Sequence, residues 1–411
     1  MTDDRPLRVA LLSYRGKPTC GGQGVYVRHL SRALADLGHE VEVIGGPPYP
    51  VLGDGVRFTP LPGLDLYADE NPFRTPQPRE LRSLPALIEY AGLKRGRFTE
   101  PLAFSLRARH YLRGHAFDVI HDNQGLGYGL LGLPGLVATI HHPVAIDRAW
   151  ELDGASPQRQ REVLAWYRFL DMQRRVARRI PQLIAPAAAG AGATSAWLGI
   201  PPERITITPL GVDTAVFRPD RSTGRVPGRI VTTASADAPI KGLADLLTAA
   251  AALRPGWRGE LHVVGTLRPG GPAARQIARL GLPVRFHRGL TDAQLADLIS
   301  SAEVACVPSR YEGFSLPALE AMACGTPLVC TTAGALPEVT GPDGHAALHA
   351  APGDPAALTR ALRTLLSDTA LRRRLGAAGV TRAARFTWRA TAEATVAAYR
   401  SHLRPAVLSA C

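Results

Sequence analysis

One pattern limits what this chain can fold into more than any other: short apolar runs alternate with glycine-marked turns and amphipathic stretches, in two successive arrays. Residues 7–13 (LRVALLS) are an apolar run bounded by turn residues, the mark of a strand buried on both faces. Gly21, Gly22, Gln23 and Gly24 follow, then Val25, Leu30, Leu34 and Leu37 at helical spacing, then Gly38 where a helix-ending glycine belongs. Residues 41–44 (VEVI) form the next strand. Strand, glycine turn, helix and strand make a βαβ unit. Residues 117–121 and 136–141 read as two more buried strands, each ending in polar residues, while the proline-rich stretch 45–80 reads as long loops. Beyond Gly211, Val212 and Asp213 the alternation restarts. Strands are expected at 230–233, 261–264, 284–286, 304–307 and 327–330, and helices beginning near Leu243, Ala273, Asp292 and Pro317. Two such arrays predict an α/β protein of two doubly wound parallel sheets, joined through the proline- and arginine-rich residues 218–229. Ligands of open α/β sheets sit at the carboxyl ends of the strands, so the pattern places the ligand in a cleft between two facing sheets.

Charge narrows the partners. The 411 residues carry a formal charge of +13, and nearly all the basic residues are arginines: the lysines are Lys17, Lys94 and Lys241 alone. The excess is local. Residues 301–350 hold one arginine against five acids, and residues 351–411 hold ten arginines against three acids. No zinc-finger spacing and no RNP-like aromatic strand accompanies the charge, which argues against nucleic acid as a partner. Arginine in place of lysine, with abundant alanine and glycine, is also what a GC-rich genome produces. Residues 159–180 read as one amphipathic helix, with Trp166, Phe169, Leu170, Val176, Ala177 and Ile180 on one face and Arg161, Arg168, Arg175 and Arg179 opposite. The plain reading of that face is a solvated surface; the sharper one is peripheral docking to an anionic membrane. Five scattered cysteines (Cys20, Cys306, Cys324, Cys330, Cys411) without CxxC spacing suggest neither a zinc site nor a disulfide framework, and fit a reduced cytoplasmic compartment. The polar N-terminus lacks an apolar core of a signal peptide, and the greasiest run, residues 125–140, is too short and too glycine-rich to span a bilayer.

Two motifs carry chemistry. Gly21, Gly22, Gln23 and Gly24 open a helix, where free N–H groups and the helix dipole favour an anion and glycine lets a ligand approach the backbone. Glu312, Gly313, Phe314, Ser315, Leu316, Pro317, Ala318, Leu319 and Glu320 place two carboxylates eight residues apart, framed by glycine and proline, with Pro317 suited to a first helical turn. Each carboxylate can accept hydrogen bonds from vicinal hydroxyls of a polyol. Asp122, Asn123 and Gln124 follow a strand and are acceptor-side candidates, with a plain polar loop as the alternative. Tyr26, Arg28 and His29 lie on the nearby helix. No D-x-D sequence is present, so a metal bridging a diphosphate is not demanded.

At these residues the chain resembles the family 4 glycosyltransferases, retaining enzymes of the GT-B fold, over nearly its whole length. The Glu312–Glu320 spacing matches their E-x7-E motif. Gly211, Val212 and Asp213 match the "GVD" before the interdomain linker, and Lys241 with Gly242 matches the "KG" opening the first C-domain helix. Gly334 through Glu338 resembles the "GG-x-x-E" turn, and Phe386, Thr387 and Trp388 resemble the "FSW" before a last helix that crosses back to the first domain. The resemblance implies an N-terminal acceptor-side domain over 1–215, a donor domain over 216–388 and a returning helix over 389–411. It implies that Glu320 binds the donor ribose and that Glu312 contacts the transferred sugar, with backbone N–H groups offered by Phe314, Ser315 and Leu316. It assigns Lys241 to the diphosphate, Gly22 and Gly24 to its close approach to the helix, and His141 to the sugar or leaving group, so that Glu312, His141 and Lys241 form the catalytic set. The family usually carries an arginine five residues before this lysine; here the position is Ala236. The expected reaction moves a hexosyl unit from a UDP- or GDP-sugar to a small-molecule, lipid-linked or glycan hydroxyl without a resident cofactor or metal. A nucleotide-sugar epimerase and a catalytically idle nucleotide-sugar binder are the alternatives.

Overall fold

The computed structural model describes residues 5–16, 22–66, 74–220, 224–233 and 238–403. Gly21 and Ala236 therefore lie outside the described residues, as do Cys20 and Cys411. The chain forms two compact units. One comprises Met1–Pro186, Ala191–Thr208 and Trp388–Cys411; the other comprises Ala187–Gly190 and Pro209–Thr387. Where the sequence suggested a division at 216, the contacts divide at Pro209, because the Val212 N–H donates to the Phe386 carbonyl at 3.0 Å and holds 209–213 in the second unit.

The first unit is built on seven strands: β1 (Arg8–Ser13), β2 (Glu40–Gly45), β3 (Arg57–Pro60), β4 (Val119–Asn123), β5 (Leu136–Thr139), β6 (Leu183–Ala185) and β7 (Ile205–Ile207). Their order is β3-β2-β1-β4-β5-β6-β7, parallel throughout. Its helices are α1 (Gly22–Asp36), α2 (Leu84–Lys94), α3 (Glu100–Leu112), α4 (Ala145–Leu152), α5 (Pro157–Trp166), α6 (Phe169–Ala177) and the body of α7 (Ala188–Leu198). Leu12, Ile44, Phe104, Ile120, Leu130, Met172 and Val176 belong to one buried cluster beneath α3 and α6. The expected single helix at 159–180 is instead two, broken at Tyr167 and Arg168. The break lets the chain serve two cores. Val163, Tyr167 and Leu170 close a small cluster of their own, while Met172 and Val176 enter the main one. The buried Tyr167 hydroxyl donates to Glu151 at 2.7 Å, which fixes the turn. Arg161, Arg168, Arg175 and Arg179 are all exposed.

The second unit has six parallel strands: β8 (Val226–Thr233), β9 (Leu261–Val264), β10 (Val284–His287), β11 (Ala302–Val307), β12 (Leu328–Thr331) and β13 (Ala347–Ala350), ordered β10-β9-β8-β11-β12-β13. Helices α8 (Leu243–Leu253), α9 (Pro272–Leu280), α10 (Asp292–Ser300), α11 (Leu316–Ala323), α12 (Leu336–Thr340), α13 (Pro355–Ser367) and α14 (Thr369–Ala383) cover it. Ile230, Leu246, Leu253, Trp257, Val304, Leu358 and Leu365 form its core. Glu338, on α12, accepts the Ala188 and Ala189 N–H groups at 2.7 Å each, so the first turn of α7 counts with this unit. Burial pushes the free thiols of Cys324 and Cys330 up to about 12, which leaves both inert near neutral pH.

The last helix, α15 (Trp388–Leu403), packs along α1 in the first unit. Trp388 stacks on His29 with ring centroids 4.9 Å apart, and Tyr399, wholly buried, bonds His121 Nδ1 at 2.6 Å. Among the described residues no helix is long and apolar enough to cross a membrane.

Candidate active site

In each sheet the strand order reverses once, between β1 and β4 in the first and between β8 and β11 in the second. Connections leave such a point in opposite directions and open a crevice at the carboxyl ends of the two strands. The polar motifs of the sequence fall at these two points.

In the second unit, Lys241 follows β8 and Glu312 follows β11. Lys241 ends a short 3-10 turn at Pro239–Lys241, and Gly242 then takes a left-handed conformation (φ 66°) as the cap of α8. No larger residue fits there: a Cβ on Gly242 would lie 2.0 Å from the Pro308 carbonyl oxygen. The two loops are also joined by an Arg310 N–H donated to the Ile240 carbonyl at 2.8 Å, and by a two-pronged Arg310–Asp245 ion pair with both contacts at 2.8 Å. Within this frame Lys241 Nζ donates to Glu312 Oε1 at 2.9 Å and Ser309 Oγ donates to the same oxygen at 2.6 Å. Oε2 has no hydrogen-bond partner among the described residues. Glu312 is 7% exposed, so its charge is held by the adjacent ammonium rather than by bulk water. Its backbone is pinned as well. The Ala335 N–H donates to the Glu312 carbonyl at 3.0 Å, and Gly334 (φ 56°) brings its own backbone so close that a Cβ would lie 2.1 Å from that oxygen.

The loop then reaches α11. Phe314 is buried edge-to-face on Phe386, and Ser315 adopts φ 93°, a conformation that costs a non-glycine residue about 1–3 kcal/mol. Its hydroxyl accepts from the Ala318 N–H at 3.4 Å and caps the helix. The N–H groups of Phe314, Ser315 and Leu316 make no hydrogen bond among the described residues, leaving three donors at a helix N-terminus. Glu320 lies half-buried on the same helix.

In the first unit the corresponding point is built mostly from uncharged groups. Gly22 opens α1, where an added Cβ would meet nothing within 4 Å; Gly24 is buried in the first turn. Asn123 Nδ2 donates to the Gln23 carbonyl at 3.4 Å, which turns its Oδ1 toward His141 Nε2 at 2.6 Å. That oxygen only accepts, so the proton sits on His141 Nε2 and Nδ1 is the acceptor. Burial drives the His141 pKa well below the usual imidazole range, and the ring stays neutral. Gln124 clamps the same strand end: Oε1 accepts the His141 N–H at 2.7 Å and Nε2 donates to the His142 carbonyl at 2.6 Å. Beneath them His121 bridges Tyr399 and Thr139, and Tyr26 bonds Thr139 at 3.0 Å. Desolvation lowers His121 to about 3 and raises Asp122 to about 7.

Of the sequence candidates, Lys241, Glu312, Phe314, Ser315 and Leu316 come together at the second switch point, with Glu320 on the adjoining helix. Gly22, Asn123, Gln124 and His141 come together at the first. Asn123 and Gln124 are buried positioners of His141 rather than parts of an open loop, because β4 runs through Asn123. Asp122 is turned inward and accepts the Leu126 N–H at 2.6 Å. The sequence reading passed over Ser309, Asp245 and Arg310. Ser309 stands three residues before Glu312 and could have been found by asking what satisfies a buried carboxylate. The Asp245–Arg310 pair spans 65 positions and leaves no local signal. Among the described residues no three His, Cys, Asp or Glu side chains gather as a metal site requires.

Two doubly wound sheets, each with its polar residues at the switch point, have the architecture of the GT-B class. Residues 20–216 match the model for glycosyltransferase family 4, and residues 227–368 match that for glycosyl transferases group 1. An MMP alpha-(1->4)-mannosyltransferase of Mycolicibacterium hassiacum is 50% identical over 98% of this chain and 100% of its own. A D-inositol 3-phosphate glycosyltransferase of Segniliparus rotundus is 30% identical over 98% of this chain and 91% of its own. In fold, the chain is similar to the sucrose-phosphate synthase of Thermosynechococcus elongatus (TM-score 0.73, 24% identity, 96% of this chain and 98% of that one). It is also similar to Anabaena HepE in complex with UDP-glucose (TM-score 0.67, 17% identity, 96% of this chain and 100% of that one). The chain belongs to the family 4 glycosyltransferases, and it is a glycosyltransferase.

Proposed function

We propose that this enzyme transfers a mannosyl unit from a nucleoside-diphosphate mannose to a hydroxyl of a mannose-containing acceptor, with retention at the anomeric carbon and without a bridging metal, in the cytoplasm. The observation that carries the reading is the Lys241–Glu312–Ser309 cluster at the second switch point, in a chain half identical over its length to a named alpha-(1->4)-mannosyltransferase. Nucleotide mannose is alpha-linked, so an alpha-linked product such as that relative's name specifies requires retention.

In the proposed reaction Glu320 takes the ribose hydroxyls, and the N–H groups of Phe314, Ser315 and Leu316 take sugar or phosphate oxygens. Glu312 stabilises the oxocarbenium-like centre, and Lys241 stabilises the charge that grows on the departing diphosphate. The bond from the anomeric carbon to the phosphate oxygen breaks, the acceptor oxygen bonds to that carbon on the same face, and the acceptor proton passes to the leaving diphosphate. Gly22 and Gly24 would allow close approach of an anion to α1. The neutral His141, with Nδ1 as acceptor, suits a hydrogen bond from a sugar hydroxyl better than proton donation. Because position 236 is alanine, the cationic side of the donor site falls largely to Lys241.

The test is a panel of UDP- and GDP-linked mannose and glucose, scored by thermal shift and by the anomeric configuration of the product. A single mannose donor should raise the melting temperature and give an alpha-linked product. A beta-linked product, or an isomerised sugar still attached to nucleotide, would overturn the proposal.

A further inference from the structure

Glu312 is bonded through one oxygen. Oε1 accepts from Lys241 Nζ at 2.9 Å and from Ser309 Oγ at 2.6 Å, while Oε2 accepts nothing among the described residues. A buried carboxylate with both donors on one side is oriented as well as satisfied. The two donors differ in kind. Lys241 sits half-exposed at the end of a flexible stem, and its ammonium has N–H groups to spare for a second anion. Ser309 is 2% exposed, and its hydroxyl sits on a single carbon three residues before Glu312 on the same loop. That hydroxyl is not what holds the loop. The Thr331 hydroxyl of β12 donates to the Ser309 carbonyl, the Arg310 N–H donates to the Ile240 carbonyl, and the Ala335 N–H donates to the Glu312 carbonyl. The backbone is tied on both sides of Ser309, and its Oγ is left to act on the carboxylate.

Resting on the glycosyl-transfer reading above, we infer that Ser309 is a positioning residue for Glu312: it holds Oε1, so that the unpartnered Oε2 is the oxygen offered to the transferred sugar. A neutral donor suits the task. A hydroxyl orients a carboxylate without cancelling its charge, whereas a second cation at the same oxygen would weaken the field that an oxocarbenium-like centre needs. The arrangement also frees the lysine. As charge grows on the departing diphosphate, Lys241 can give up its share of Oε1, and the carboxylate remains held by a bond that no substrate competes for.

Transfer from GDP-mannose to an alpha-(1->4)-linked mannotetraose by the full chain, with UDP-mannose in parallel, tests this in a double-mutant cycle. Ser309→Ala should lower kcat about ten- to a hundredfold and leave KM for the donor within about twofold, because the lost orientation matters most where charge develops. In the Glu312→Gln background the same substitution should change kcat by less than about twofold, since Ser309 acts through that carboxylate. Ser309→Cys fills similar space with a weaker donor, and its kcat should fall between those of serine and alanine. Unchanged melting temperatures would show that the loop stays folded. Three results would overturn the inference alone: full activity in Ser309→Ala, an equal loss in both backgrounds, or a cysteine variant as active as the serine. No turnover of either donor by the unaltered protein would overturn the transfer reading, and this inference with it.

Discussion

At the switch point of the first sheet the chain gathers mostly neutral groups: His121 and His141 held uncharged by burial, with Asn123 and Gln124, beside Asp122, whose carboxyl burial raises to about 7. At the switch point of the second sheet it gathers charges: Lys241 against Glu312, and Arg310 against Asp245. The topology is the same and the electrostatics are opposite. A neutral, hydrogen-bonded network fixes positions and has little effect on developing charge. A buried carboxylate beside a half-exposed ammonium is arranged to respond when charge appears. On the proposed reaction this contrast divides the labour: the first unit would hold geometry, and the second would meet the diphosphate and the sugar cation.

The sharpest way to break this division is at Lys241. Lys241→Met should lower kcat for transfer by about a hundredfold or more while the first unit's hydrogen-exchange protection stays as it was. A loss under about tenfold would move the diphosphate contact elsewhere. Gly334→Ala comes next. Its Cβ would collide with the Glu312 carbonyl at a left-handed position, so the second unit should lose about 1–3 kcal/mol of stability, seen as faster exchange in β11 and β12, together with activity. Tyr399→Phe tests the other side. It deprives the buried His121 of a partner, so the first unit should lose about 1–3 kcal/mol while donor affinity holds. A fall in donor affinity equal to the loss of stability would blur the comparison.

The smallest effect concerns pH. Asp122 stays protonated in the folded unit while its unfolded counterpart ionises above about 4, so it withdraws stability as the pH rises from about 4 to about 7. His121 stays neutral while unfolded imidazole takes a proton below about 6.5, so it withdraws stability as the pH falls from about 6.5 to about 3. The slopes oppose one another across their overlap, each about 1.4 kcal/mol per pH unit. Asp122→Asn keeps an acceptor for the Leu126 N–H and removes one slope. Its melting temperature should therefore fall more steeply than the wild type's between pH 6.5 and 4.5, and parallel curves would refute the assignment.

What was legible in the sequence follows from how local each signal is. The βαβ pattern from residue 7 to residue 44 is written in adjacent residues, and β1, α1 and β2 stand where it puts them. Strands β6 and β7, three residues long, carry too few alternations to stand out, and β3 (Arg57–Pro60) lies inside the proline-rich stretch 45–80 that reads as loops. The helix break at Tyr167 was hidden because a continuous apolar stripe and two shorter ones serving different cores read alike along the chain. The same rule holds in the site. Glu312 and Glu320 announce themselves by spacing, whereas Arg310 finds Asp245 65 positions away and His121 finds Tyr399 across 278. Long-range partners are chosen by the fold, and a single sequence does not display them.

The burial of Tyr399 against His121 also orders events in time. The ribosome delivers the first unit's strands early and α15 only after all of the second unit has emerged. Until Trp388 and Tyr399 arrive, His29 and His121 face a vacant seam, so the unit translated first is the unit finished second. A helix translated after the second unit, rather than before it, closes the first unit of this enzyme.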